Sequence, residues 1–181
     1  MPINKWNFDT VHSSLAFSVR HLMISKVKGH FDKWSGTVDL DDADPTASRI
    51  SIRIEAASVN TQEQQRDDHL RSADFFDAGN HPEIAFESTG VKKLSEQNYI
   101  VTGNLTIHGV TREVPVEVEA LGRAKDPWGG FRAGFSAKTS IDRKDFGLLF
   151  NVPLDGGGVL VGDKVEIGAE LEAVQAVALG A

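Results

Sequence analysis

The sequence predicts an all-β fold of about eight antiparallel strands with one short helix, and three observations carry that reading. Apolar residues recur at every second position in segment after segment, the period of a strand with one buried face. Glycines, prolines and Asp/Asn pairs punctuate the segments, as hairpin connections do. Only the stretch from Asn60 to Ala73, NTQEQQRDDHLRSA, breaks the alternation, and its Gln, Glu, Arg and Asp content favours a helix. The 181 residues are read as one domain, 1–181, with 40% hydrophobic and 25% charged residues, enough to bury a sizeable core.

The elements follow in chain order. Leu15 to Arg20 and Val27 to Leu40 read as strands, and Ile50, Ile52 and Ile54 alternate with Ser51, Arg53 and Glu55. In the helix, Thr61 and Gln64 have the spacing of a capping box, and Asp67 and Arg71 stand at i,i+4. Its polarity places it outside the sheet or across a barrel end. Ile84 to Leu94 resumes the strand pattern; Val101, Leu105 and Ile107 share one parity, and Val114, Val116 and Val118 alternate with Glu113, Pro115, Glu117 and Glu119. Phe131, Ala133, Phe135 and Ala137 open a strand that runs to Ile141. DGGGVLVGD, Asp155 to Asp163, is a flexible loop before the last strand, in which Val165, Ile167, Ala169 and Leu171 face away from Lys164, Glu166, Gly168 and Glu170. The tail from Val174 to Ala181 is small and apolar and is expected to fray. Periodicity does not separate a closed barrel from a sandwich, since both need one buried face per strand.

Composition excludes several classes. Asp and Glu outnumber Lys and Arg by 26 to 19, for a formal charge of −7, and the basic residues are scattered, which argues against a nucleic-acid partner. With no cysteine there is no disulfide, thiolate nucleophile or Cys metal site. No run approaches the roughly 18 apolar residues of a membrane span, and MPINKWNF has no secretory pattern, so a cytoplasmic protein is expected. No GxSxG elbow or P-loop occurs, and the six histidines have no zincin spacing. No catalytic residue, cofactor or metal is assigned.

The inward parity collects Phe17, Val19, Ile52, Ile54, Phe86, Leu105, Ile107, Val116, Val118, Phe131 and Phe135. Such residues either fill a core or line a cavity. Gly103, Ala133, Ala137 and Ala169 at the same parity leave room, which favours a lumen for an apolar chain. Arg20, His21, Arg143, Lys144 and Asp145 are candidates for its mouth, with His21 and Arg143 assigned to a polar head group, Arg143 through its planar fork of donors. His108 in IHGVT reads as a strand end with its turn, and Trp6, Trp34 and Trp128 as packing residues or barrel plugs.

Four segments also carry a resemblance: WNFDTVHSSLAFSVRHLMISKVKGHF (Trp6 to Phe31), HLRSADFFDAGNHPEIAFES (His69 to Ser88), GNLTIHGVTREVPVEV (Gly103 to Val118) and DRKDFGLLFNVPL (Asp142 to Leu154). In order and spacing they resemble the YceI-like family of polyisoprenoid-binding-like proteins. The resemblance implies an elongated, lipocalin-like antiparallel β-barrel, a long-chain isoprenoid or isoprenoid-quinone ligand, and a homodimer. Many members are exported, which this chain's N-terminus does not suggest. The reading is a non-enzymatic carrier. The alternatives are an enzyme or redox partner using histidine chemistry on the same lipids, and a stress-related β-protein with a filled core.

Overall fold

A computed structural model describes residues 3–176. The strands are β1 (Asn4–Phe8), β2 (Ser14–His21), β3 (Ser25–Phe31), β4 (Trp34–Leu40), β5 (Arg49–Glu55), β6 (Val59–Asn60), β7 (Glu83–Lys93), β8 (Asn98–Ile107), β9 (Val110–Lys125), β10 (Phe131–Asp142) and β11 (Val161–Gln175), with one α-helix, α1 (Gln64–Arg71). Hydrogen bonds run from β1 through β4, β5, β7, β8, β9, β10 and β11 and back to β1, so eight antiparallel strands close a barrel. The sandwich alternative is thereby removed. Of the predicted fraying tail, residues 177–181 lie outside the described residues.

The count exceeds eight because three staves of the wall are broken. β11 pairs along its first part with β2, from Val161↔His21 to Glu170↔Ser14, and near its end with β1, from Phe8↔Ala173 to Trp6↔Gln175. β1 and β2 are thus two lengths of one stave. The stretch read as one strand from Val27 to Leu40 splits at Asp32 and Lys33 into β3, which pairs with β2, and β4, which pairs with β1. A 3-10 turn at Ala56–Ser58 splits the next stave into β5 and β6. Ser58 joins these breaks: its carbonyl accepts from the Asp32 amide at 3.1 Å, and its hydroxyl accepts from the Lys33 amide at 3.0 Å.

At the lower end the ladder does not close. β6 pairs with β3, but among the described residues it has no ladder to β7, and residues 61–82, with α1, fill that side. The helix cap differs from the expectation. Glu63 is the N-cap, its carboxylate accepting from the amides of Gln65 (3.2 Å) and Arg66 (2.6 Å). Thr61 instead donates from its amide (2.8 Å) and hydroxyl (2.5 Å) to the buried carboxylate of Asp67. Arg71 consequently pairs with Asp68 at 2.8 Å, and its Nε donates to the Ala57 carbonyl at 2.8 Å. Among the described residues no helix is long and apolar enough to cross a membrane.

Two buried clusters hold the barrel ends. Trp6, Phe8, Val38, Ala133 and Ala173 pack at the upper end; Ala56, Ile84, Leu105, Ile107, Val114, Ile141, Phe146 and Leu148 pack at the lower. At the β1–β2 break, Arg132 reaches Asp9 (2.8 Å), Glu172 (3.1 Å) and Asp126 (3.2 Å), tying the break to β11 and to the β9–β10 turn. The hydrogen bond from His12, then that from Arg132, lowers the Asp9 carboxyl from 3.8 to about 2. A depressed carboxyl pKa stabilises the folded state above the unfolded value, and the contribution disappears as pH falls through the folded one. Asp9→Asn is therefore expected to melt below wild type at neutral pH, with the gap closing between about pH 4 and pH 2. Thermal melts across that window check it; a gap independent of pH refutes the role of the Asp9 charge.

Candidate functional site: an apolar lumen with polar ends

The barrel encloses a cavity of about 720 Å³, within the roughly 300–1,000 Å³ usual for small-molecule sites. Its wall includes Phe17 and Val19 of β2, Ile52 and Ile54 of β5, Phe86 of β7, Leu105 and Ile107 of β8, Val116 and Val118 of β9, and Phe135 of β10. Leu15, Val27, Phe31, Val165, Ile167 and Leu171 complete the apolar middle. Many of these side chains are only half-buried, because they face open space instead of one another.

Phe131 is a correction. It shares the inward parity of Phe135 but is 48% exposed and lies outside the cavity wall. The reason is length: β10 pairs with β11 only from Arg132 onward, so Phe131 stands beyond the closed rim, paired with Lys125 alone.

The small residues divide into two roles. Ala133, Ala137 and Ala169 line the lumen as expected. Gly103 does not: the Phe86 ring lies on it, so an added Cβ would meet Phe86 Cε2 at 2.6 Å and the Glu87 carbonyl at 2.7 Å. Gly36 seats the ring of Phe8 in the same way, an added Cβ lying 2.7 Å from Cδ2. These glycines let aromatic rings lie flat on the wall, so the space they free is taken by the ring and the lumen stays open beyond it.

Polar groups gather at the two ends. At the upper end Asp41, Asp42, Ser48, Tyr99 and Arg123 reach the cavity. Arg123 donates to Asp42 at 2.6 Å, and this bond chiefly lowers the Asp42 pKa. The same guanidinium lies 5.3 Å from the Trp6 ring centroid, over the buried indole that plugs this end. Trp34 is half-buried beside Phe8, whereas Trp128 is 85% exposed on the β9–β10 turn and plugs nothing.

At the lower end Arg20, His21, Gln65, Arg66, His69, Phe75 and Phe150 line the cavity. His69, Phe75 and Phe150 form an aromatic cluster with centroids 4.7–5.3 Å apart, joining α1, the segment after it and the β10–β11 loop. His69 Nε2 also lies 2.8 Å from Asp74. Sequence reasoning missed this cluster because its members sit in segments without strand periodicity. The HLRSADFF and GLLF strings that hold them were visible only as parts of longer motifs.

Of the predicted mouth residues, His21 at the end of β2 and Arg20 beside it do line the cavity. Arg143 does so with a different role. It is 2% exposed, and Nε, Nη1 and Nη2 donate to the carbonyls of Gly162 (2.8 Å), Leu148 (2.5 Å) and Val161 (3.4 Å). Burial lowers its pKa, opposed by Asp163 and Asp142. The fork expected to grip a head group is committed to its own loop, which corrects that assignment. Lys144, paired with Asp163 at 3.1 Å, and Asp145 are outside the cavity wall. His108 sits where β8 turns into β9, as its spacing suggested, with left-handed backbone at φ 54°. It meets His81 across ring centroids 4.8 Å apart, and together with Asp77 the ligand atoms of these residues lie within 4.8 Å of one another.

Comparison with known proteins agrees with this architecture. The family profile of the YceI-like domain matches residues 6–173. A UPF0312 protein of Azotobacter vinelandii is 42% identical over 137 residues, covering 76% of this chain and 71% of its own. The crystal structure of a Campylobacter jejuni YCEI protein superposes with a TM-score of 0.75 at 34% identity, over 87% of this chain and 90% of that one. A polyisoprenoid binding domain from Saccharophagus degradans, implicated in plant cell wall breakdown, shares the fold with a TM-score of 0.69 at 16% identity, over 94% and 98% of the two chains.

Truncating Arg143 leaves carbonyls of the β10–β11 loop without donors, at about 1–3 kcal/mol for each buried group left unpaired. Arg143→Ala is expected to lose about 3 kcal/mol of stability in denaturant titration. Wild-type stability in this variant would return Arg143 to the mouth.

Proposed function

Since the chain belongs to the YceI-like family, we propose that its lumen binds and carries a long-chain amphiphile, a polyisoprenoid or isoprenoid quinone, without acting on it chemically. The observation that carries this reading is the predominantly apolar wall of the lumen between two polar ends, in which the Thr139 hydroxyl donates to the Pro115 carbonyl at 2.7 Å. Each methylene moved from water into such a wall contributes about 0.8 kcal/mol, and a long chain sums enough of them to outweigh the cost of association. A polar head would then remain at an end, since burying it unpaired costs several times as much as a methylene returns.

We assign the head to the lower end. There the wall is completed by side chains of α1 and the β10–β11 loop, which part more readily than a hydrogen-bonded ladder. His21, Arg20, Gln65 and Arg66 face it. Arg66 spends Nε and Nη2 on Thr61, at 2.8 and 2.9 Å, which leaves Nη1 to meet a head group. The Saccharophagus degradans domain, named for binding a polyisoprenoid, supports the ligand class through a shared fold. Carriage is favoured over catalysis because most ionisable side chains of the lining stand at the ends, and Lys138, beside Ala137 in the middle, is 78% exposed and pairs with Glu117 at 3.5 Å.

Native mass spectrometry of gently purified protein, followed by solvent extraction, tests the proposal: one long-chain lipid per barrel is expected. Ala137 stands in the middle of the wall, opposite Ala169 and Val118. Ala137→Trp should fill the lumen and weaken uptake of a polyprenol at least about tenfold while the barrel still melts cooperatively. Unchanged uptake by that variant, or a wild-type protein that neither carries nor takes up such lipids, refutes lumenal binding.

A further inference from the structure

We infer that Asp77, His81 and His108 form a binding site for a divalent first-row transition-metal ion of the Zn²⁺ type, outside the lumen at the lower end of the barrel. The ligand atoms of the three residues lie within 4.8 Å of one another, and all three side chains are half-buried. None of them lines the lumen, so the site is separate from the one proposed for lipid. They come from two segments, Asp77 and His81 from the chain between α1 and β7 and His108 from the β8–β9 turn.

The local geometry turns the three side chains to a common point. Asp77 and His108 are both left-handed, at φ 48° and 54°, and the His81 amide donates to the Asp77 carbonyl at 2.8 Å, folding that segment back on itself. Gly109 makes room for the first imidazole: a Cβ there would lie 2.8 Å from His81 Cε1. Gly147 does so for the second, its Cβ position being 3.2 Å from His108 Nδ1. Both glycines have positive φ, 72° and 77°, so the backbone itself disfavours a side chain at either position.

The surroundings suit a metal better than an ordinary ion pair. His12, His30 and His69 each have a carboxylate of their own at 2.8–2.9 Å. Among the described residues neither His81 nor His108 makes a side-chain hydrogen bond, so the nitrogens of two neighbouring rings remain available. The Asp77 carboxylate is held by the Asn80 amide group, at 3.0 and 3.2 Å from its two oxygens, the kind of outer support that orients a ligating carboxylate. Two imidazoles and one carboxylate are the donors of three-ligand zinc sites, with water in the fourth position, whereas Ca²⁺ and Mg²⁺ prefer oxygen alone. Ligands about 2.1 Å from a tetrahedral ion stand about 3.4 Å apart, so small side-chain rotations close the present spacing. A bound ion would pin the segment after α1 to the β8–β9 turn and so brace the end where the backbone ladder is open.

The test uses the full untagged chain after dialysis against EDTA, titrated with Zn²⁺ by calorimetry and with Co²⁺ by visible absorption. One ion per chain is expected, with the intense absorption of low-coordinate Co²⁺ and a higher melting temperature in Zn²⁺. His81→Ala and His108→Asn, the latter chosen because Asn accepts left-handed backbone, should each weaken binding by about 100-fold or more. His30→Gln should leave it unchanged. Absence of binding by wild type overturns the inference. So does wild-type affinity in the double variant His81→Ala/His108→Asn, with circular dichroism confirming its fold. Because the site is outside the lumen, lipid uptake by the double variant is expected to persist, which keeps failure of this inference distinct from failure of the carrier reading.

Discussion

The ladder of β11 is the interaction on which the rest of the barrel depends. This strand of 15 residues pairs with β10 on one side and with both β1 and β2 on the other. Its two-sided pairing converts an open meander into a wall closed through β1, which removes the exposed edges of the upper barrel and leaves the gap between β6 and β7 at the lower end. Closure also dictates where side chains go. Every second residue of a strand enters the interior, and at the lower end side chains of α1 and the β10–β11 loop, among them His69 and Phe150, add to what the strands supply.

An interior supplied in this way can be packed or left open, and here the balance is local. Leucine, isoleucine and aromatic residues meet at both ends, where Trp6 and Phe146 are each 1% exposed. Along the middle the alanines of β10 and β11 face each other across a shared register, Ala137 against Ala169. Small residues side by side on adjacent strands cannot reach the far wall of the barrel, so the lumen persists between two packed ends. The rings of Phe86 and Phe8 lie down onto Gly103 and Gly36, which keeps the wall apolar there.

The two ends differ in how they are held. The upper end is a completed ladder sealed by Trp6 and the Arg123–Asp42 pair. The lower end relies on side chains: Asp67 fastens α1 to Thr61, Arg143 organises the β10–β11 loop, and His69, Phe75 and Phe150 bridge the helix to that loop. An end built from side-chain contacts opens at lower free energy than one built from strand pairing. The asymmetry makes the lower end the easier one to open while the upper ladder stays intact.

Alternation along each strand determined most of this architecture in advance. A period of two names the inward face whatever the strands pair with, so ten lumen residues from Phe17 to Phe135 were legible before any register was known, and the polar break at Asn60 to Ala73 marked the helix. Tertiary structure decided what parity leaves open. Phe131 has the right parity but lies past the rim, because rim height depends on how far β11 extends beside β10. Arg143 has the right chemistry for a head group but is consumed by carbonyls of a loop whose path no local pattern describes. The aromatic cluster at the lower end brings α1 to the distant β10–β11 loop, and Asp77 and His81 meet His108 through the pairing of β7 with β8, which sets Ala85 beside Thr106. Alternation is a property of neighbours in sequence, whereas the height of the rim and the partners of Arg143 are set by pairings between strands and loops that no local pattern contains.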